Sequence, residues 1–286
     1  MKSSLMALPH TLTIRGSLLA LDRPLVMGIL NVTPDSFFEG SRYQTEREIL
    51  QRAEQILTEG GRIIDLGAYS SRPTSVDISP EEEMSRLAFA LQHLTKHFPD
   101  AIYSVDTFRA SVARRCVEEY GVDIINDISG GTLDEAMFET IADLQVPYVM
   151  MHMRGTPQTM MQDLHYEDML GEMHRFFSER LDRLYRLGVN DVILDPGFGF
   201  SKDLTQNYQL LHHLKTFALH EAPLLVGVSR KSMIYKLLDC TPAESLNGTS
   251  VLHTLALLSG AHILRAHDVR EAYETIQLVE KTLQSR

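Results

Sequence analysis

Apolar runs that end abruptly in polar side chains recur along this chain. Met27-Gly28-Ile29-Leu30 leads into Asn31-Val32-Thr33-Pro34-Asp35-Ser36-Phe37, and Ile63-Ile64-Asp65-Leu66 into Ser70-Ser71-Arg72-Pro73. Tyr103-Ser104-Val105 leads into Asp106-Thr107, Asp123-Ile124-Ile125 into Asn126-Asp127, and Tyr148-Val149-Met150-Met151 into His152 and Arg154. Val192-Ile193-Leu194 precedes Asp195-Pro196-Gly197, and Leu224-Leu225-Val226-Gly227-Val228 precedes Ser229-Arg230-Lys231-Ser232. Finally, Ala261-His262-Ile263-Leu264 hands over to Arg265-Ala266-His267-Asp268. Short, almost continuous apolar runs of this kind are characteristic of strands buried on both faces.

Between these runs the apolar positions recur with helical spacing. Ile49, Leu50, Ala53, Ile56 and Leu57 form one stripe over residues 46–59, ended by Gly60-Gly61. Ser79-Pro80-Glu81-Glu82-Glu83 is a helix start, with a capping serine, a first-turn proline and acids near the positive end of the dipole. That helix is expected to reach about residue 97. Residues 107–120, 133–144, 168–187, 206–214 and 270–284 show similar periodicity, and 251–264 reads as a core helix running into a strand.

Strand and helix thus alternate about eight times, which implies parallel strands with right-handed crossovers. The expected fold is α/β, a single TIM (β/α)8 barrel domain spanning residues 1–286, with an open doubly wound sheet as the alternative. Residues 12–21 are expected to form a small hairpin across the barrel bottom. Ligand sites in such barrels lie at the C-terminal ends of the strands, where every polar cluster named above falls.

Composition narrows the function. Of 286 residues, 44% are hydrophobic and 23% charged, as in globular proteins. The net charge of -11 argues against non-specific nucleic-acid binding, although a local basic cluster can still hold an anion. Two distant cysteines, Cys116 and Cys240, favour a reduced cytoplasmic protein over a disulfide scaffold. No apolar segment reads as a signal peptide or a membrane span.

The strand-end residues carry two kinds of chemistry. Asp106, Asn126 and Asp195 follow different strands and can grip a flat heterocycle through its N–H edge. The plainer reading is that each caps a helix or a turn. Arg72, Arg230, Lys231, Arg265 and His267 form a basic set suited to phosphate or carboxylate; singly, each would read as a solvated charge. Other signals are weak. Gly197-Phe198-Gly199 lacks the rest of a dinucleotide fingerprint, and Ser229-Arg230-Lys231-Ser232 lacks the glycines of a phosphate loop. His93 and His97 stand one helical turn apart without a nearby zinc-site glutamate, and the methionines at 150–153 and 160–161 read as packing.

From about Leu12 to Val269 the chain resembles the dihydropteroate synthase family. The matching pieces are Gly28-Ile29-Leu30-Asn31-Val32-Thr33-Pro34-Asp35-Ser36-Phe37, Ser104-Val105-Asp106-Thr107, Ile125-Asn126-Asp127-Ile128-Ser129-Gly130 and Met151-His152-Met153-Arg154-Gly155-Thr156-Pro157. Asp195-Pro196-Gly197-Phe198-Gly199-Phe200, Ser229-Arg230-Lys231-Ser232 and Leu264-Arg265-Ala266-His267-Asp268-Val269 complete them.

The resemblance implies a transferase of folate biosynthesis. It would join 6-hydroxymethyl-7,8-dihydropterin diphosphate to 4-aminobenzoate, giving 7,8-dihydropteroate and diphosphate. It implies Mg²⁺, sulfonamide sensitivity, a homodimer and no nucleic-acid or membrane partner. Carried over by position, Asp106, Asn126, Asp195 and Lys231 hold the pterin, and Asn31 helps bind diphosphate with the metal. Arg72, Arg265 and His267 stabilise the departing diphosphate, and Asp35 with Arg72 belongs to loops that close over the site. Ser71 stands where the family has a substrate-contacting threonine, while Phe200, Lys231 and Ser232 border the aminobenzoate. The second loop departs from the family's Glu-Ser-Thr-Arg-Pro-Gly, reading Tyr69-Ser70-Ser71-Arg72-Pro73-Thr74, and Phe38-Glu39-Gly40-Ser41 replaces Ser-Asp-Gly-Gly in the first. The competing readings are a methyltransferase of the same superfamily, which needs no diphosphate site, and a pterin-binding protein without activity.

Overall fold

The computed structural model describes residues 10–33, 45–70 and 77–285. A hairpin comes first: β1 (Thr11–Ile14) pairs antiparallel with β2 (Ser17–Ala20). Eight parallel strands follow: β3 (Leu25–Asn31), β4 (Ile63–Gly67), β5 (Ile102–Asp106), β6 (Ile124–Asp127), β7 (Tyr148–Met151), β8 (Val192–Asp195), β9 (Leu225–Val226) and β10 (Ile263–Ala266). Their order is β8-β7-β6-β5-β4-β3-β10-β9, and a parallel bridge from Leu194 to Leu224 joins the two ends into a barrel. This resolves the alternative of an open sheet.

The helices between them are α1 (Glu46–Thr58), α2 (Pro80–His97), α3 (Ala110–Tyr120), α4 (Met137–Leu144) and α5 (Met169–Arg186). After these come α6 (Leu204–His212), a 3-10 helix (Leu214–His220), α7 (Ser232–Leu238), α8 (Leu246–Leu258) and α9 (Val269–Gln284). Local chemistry sets several starts. Thr45 accepts from the Glu48 N–H at 3.3 Å while the Glu48 carboxylate accepts from the Thr45 N–H at 2.8 Å, a capping box opening α1. Asp203 and Gln206 do the same for α6. The periodicity over 133–144 overstates α4, which begins only at Met137. Asp134 is used elsewhere: its carboxylate accepts from the Ala110 and Ala136 N–H groups at 2.8 and 3.0 Å.

Alternation along the strands sorts the side chains. Outward residues such as Val26, Leu30, Ile64, Tyr103, Ile125, Tyr148 and Leu194 join the helices in the main core. Inward residues at the strand beginnings form a separate cluster of Met27, Ile63, Ile102, Ile124, Val149, Ile193, Leu225 and Ile263. Leu12, Ile14 and Leu21 from the hairpin close it from below, as the sequence led one to expect. Arg15 locks the hairpin in place with a forked ion pair to Asp123, at 2.8 and 2.9 Å. No described helix is long and apolar enough to cross a membrane.

Candidate active site

Two residues further along five of these strands, the inward positions turn polar. β4 now presents Asp65, β5 Ser104 and then Asp106, β6 Asn126, β8 Asp195 and β10 Arg265. Asp65 is fully buried and central. Its carboxylate accepts from Ser104 Oγ at 2.6 Å, Asn126 Nδ2 at 3.2 Å and Arg265 Nε at 2.7 Å. Arg265 spans the mouth, because its Nη2 also donates to Asp106 Oδ2 at 2.9 Å. The Arg265 and Asp106 side chains remain 20% and 21% exposed, so this pair faces the opening while Asp65 supports it from beneath.

Asp195 ends β8 within electrostatic reach of Arg265. One of its oxygens accepts from the Gly197 N–H at 2.8 Å, and the charges of Lys231, Arg265 and Lys202 act on it. The Lys231 ammonium donates to the Phe198 carbonyl at 2.5 Å and lies 4.8 Å from the centre of the Phe200 ring. Ser232 is the first residue of α7, directly after Lys231 at its N-cap. The loop over residues 197–200 is pinned from below. Lys202, 2% exposed, donates to the Gly197 and Phe200 carbonyls at 3.1 Å each, and Asn207 accepts from the Gly199 N–H at 2.7 Å. Gly197 has a positive φ of 71°, and a Cβ there would collide with the His152 carbonyl.

Burial distorts the ionisation of these groups. It raises the Asp195 acid above its ordinary range, with Lys231 opposing, and lowers Lys231 to about 8, with Asp195 opposing. It raises Asp106 as well, against the pull of Arg265. Burial also works against charge on Arg265, but Asp65 and Asp106 outweigh it and hold the guanidinium firmly protonated. His267 drops to about 4 through burial and the neighbouring Arg265, so it is a neutral imidazole at pH 7.

The remaining sequence candidates divide. Asn31 ends β3 on the inward side, partly exposed, and His267 follows β10 with its backbone N–H donating to Ser229 Oγ at 3.1 Å. Asp35, Ser71 and Arg72 lie outside the described residues. Arg230 does not join the cluster: it forks onto Asp268 at 2.8 and 2.7 Å and donates to the Pro242 and Ala243 carbonyls. Asp65 and Lys202 were missed. Asp65 had a readable signal, a carboxylate at an inward position of an otherwise apolar strand. Lys202 had none. His93 lies 3.1 Å from Glu46, and among the described residues no group of three or more His, Cys, Asp or Glu side chains could hold a metal.

Fold and cluster together define a parallel barrel with acidic, amide and basic side chains converging at the C-terminal mouth. Residues 27–267 match the family described as pterin binding enzyme. The dihydropteroate synthase of Escherichia coli K12 is 40% identical over 274 residues, 95% of this chain and 96% of the relative. That of Synechocystis is 42% identical over 250 residues, 86% of each chain. The crystal structure of the Yersinia pestis dihydropteroate synthase with a sulfonamide drug complex superposes with a TM-score of 0.89 at 40% identity, covering 97% of this chain and 100% of the other. The Thermus thermophilus enzyme in complex with 4-aminobenzoate gives 0.85 at 36% identity, covering 95% and 99%. The chain belongs to the pterin binding enzyme family, and within it to the dihydropteroate synthases, transferases of folate biosynthesis.

Proposed function

We propose that this mouth joins 6-hydroxymethyl-7,8-dihydropterin diphosphate to 4-aminobenzoate. The observation that carries the reading is Arg265 flanked by Asp65 and Asp106, with the charges of Asp195 and Lys231 nearby: a grip for a heterocycle beside a grip for an anion. Asp106, Asn126 and Asp195 accept and donate along the pterin edge, and Lys231 balances the charge of Asp195. Arg265 and His267 face the diphosphate, together with Arg72. Asp35, Arg72 and Ser71 are assigned here on the family resemblance alone. Phe200, Lys231 and Ser232 border the aminobenzoate.

The aminobenzoate nitrogen attacks the pterin methylene, the C–N bond forms, and the C–O bond breaks with its electron pair leaving on the diphosphate. The amine proton passes to solvent or to the departing group. Negative charge grows on the leaving oxygen, where Arg265 and a neutral His267 N–H stabilise it. No group of the chain needs to form a covalent intermediate.

Mg²⁺ fits as a partner of the diphosphate. Asn31 offers one hard amide oxygen at the mouth, and the facing Gly67 leaves room, since a Cβ there would lie 3.2 Å from Asn31 Oδ1. A magnesium ion held by a single protein oxygen, diphosphate and waters suits a mouth whose described residues form no carboxylate cage. Bound there, it would neutralise charge on the leaving group.

The test is diphosphate release by the purified protein, with and without 4-aminobenzoate. Release should depend on 4-aminobenzoate, yield dihydropteroate, fall strongly in excess EDTA and be competed by sulfonamides. Folded protein that makes no product with any divalent metal would overturn the reading. We further propose a cytoplasmic homodimer built from one barrel domain per chain. Val251, Leu255 and Leu258 support the pairing, since they form an exposed apolar stripe on α8, whose opposite face is already buried.

A further inference from the structure

Gly28 on β3 faces α1, and a Cβ there would come within 2.5 Å of Ile56 Cγ2. The missing side chain lets α1 lie close against the strand. One turn earlier on α1, Arg52 therefore reaches the top of the barrel wall from outside. There the β10–β3 ladder has just ended, its last paired residues being Ala266 and Gly28. The next carbonyls on the two strands belong to His267 and Ile29, and Arg52 takes both. Its Nη2 donates to the His267 oxygen at 2.7 Å, and its Nε and Nη2 each lie 3.3 Å from the Ile29 oxygen. Gln55 Oε1 accepts from Nη1 at 3.0 Å.

We infer that Arg52 is a positioning residue for the diphosphate half of the site, stitching together the strand ends that carry Asn31 and His267. The inference rests on the assignment of those two residues to the diphosphate. Three features support it. First, the guanidinium replaces the rung that the ladder lacks, because its planar fork presents Nε and Nη2 in a fixed geometry to carbonyls on two adjacent strands, which a freely rotating ammonium does not. Second, among the described residues His267 is tethered through its backbone, by Ser229 on its N–H side and Arg52 on its carbonyl side, so losing Arg52 frees one of these two tethers. Third, Arg52 spends its hydrogen bonds on Ile29, Gln55 and His267 and makes none to Asp106, Asn126 or Asp195, which leaves the pterin half untouched.

The experiment is calorimetry on the whole chain with two separate probes, inorganic diphosphate in the presence of Mg²⁺ and 6-hydroxymethyl-7,8-dihydropterin. Arg52→Met should weaken diphosphate binding about tenfold, as loss of a residue that orients a direct ligand does, and leave pterin binding unchanged. Arg52→Lys keeps the charge but loses the fork and should fall between Arg52→Met and the wild type. It also decides the matter if Arg52→Met does not fold. Unchanged diphosphate binding in these variants, or equal weakening toward both probes, overturns the inference, provided His267→Ala itself weakens diphosphate binding. If His267→Ala leaves diphosphate binding unaltered, the assignment of His267 falls, and the role of Arg52 falls with it.

Discussion

On β8, Ile193 and Asp195 point the same way, into the barrel, one layer apart. Ile193 belongs to a plug of inward aliphatic side chains closed by the hairpin. Asp195 belongs to a layer of carboxylates, amide and guanidinium that opens on the mouth. The same pair of layers recurs on β4 with Ile63 and Asp65, on β5 with Ile102 and Ser104, on β6 with Ile124 and Asn126, and on β10 with Ile263 and Arg265. The lower layer gains stability from burial of apolar surface. The upper layer buries charge, which is costly unless each group is paired, and in the proposed function its pairing doubles as the substrate grip. Stability and chemistry are thus divided along the strand axis and not among different elements.

Asp65 tests that division most severely, since it belongs to the upper layer yet touches no opening. Asp65→Ala strands the Arg265 Nε, Asn126 Nδ2 and Ser104 Oγ donors together. It should destabilise the protein by about 3–5 kcal/mol, the range for breaking a buried ion pair, and abolish turnover in whatever remains folded. Ile63→Ala, one layer down on the same strand, should lower the melting temperature with unchanged KM values. Denaturant titration and steady-state kinetics on the two variants check both statements. Retained kcat/KM in folded Asp65→Ala would remove Asp65 from the site's architecture.

The lower layer was the more legible of the two. Apolar runs announced the strands, and the interleaved helical stripes announced a barrel, because these follow from local periodicity. Starts of helices were less readable where a polar side chain serves a distant partner, as Asp134 does for Ala110. In the upper layer, Asp106, Asn126, Asp195, Lys231 and Arg265 were visible as polar ends of strands, and the structure brings them to one mouth. Arg230 carried the same signal but is spent on Asp268, a distinction that depends on the direction of one side chain. Asp65 was hidden by the run that contains it, although its inward parity marks it in hindsight. Lys202 acts through backbone carbonyls of a loop shaped by Gly197 and Gly199, and no local pattern predicts such contacts.

A milder prediction follows from charge in the upper layer. Burial lowers Lys231 to about 8, so the group that balances Asp195 is charged at pH 7 and loses its proton as pH rises through that value. Pterin affinity should therefore decline on the alkaline side, by about tenfold between pH 7 and pH 9 if only the protonated ammonium binds. Calorimetry at those two pH values, repeated with Lys231→Met, checks it. A variant that keeps the full alkaline decline would show that Lys231 is not its source.

The division between layers is tested most directly on β8 itself, by measuring the dissociation constant for 6-hydroxymethyl-7,8-dihydropterin together with the unfolding free energy of Ile193→Ala and Asp195→Asn. Ile193→Ala should lose about 2–5 kcal/mol of stability, the range for a truncated core isoleucine, and bind the pterin as the wild type does. Asp195→Asn keeps the side-chain shape and an acceptor for the Gly197 N–H, so it should cost less stability than Ile193→Ala, yet lose pterin binding by about 2–4 kcal/mol through a mismatched buried hydrogen bond. Wild-type pterin affinity in Asp195→Asn, or an equal loss of affinity in Ile193→Ala, would contradict the account.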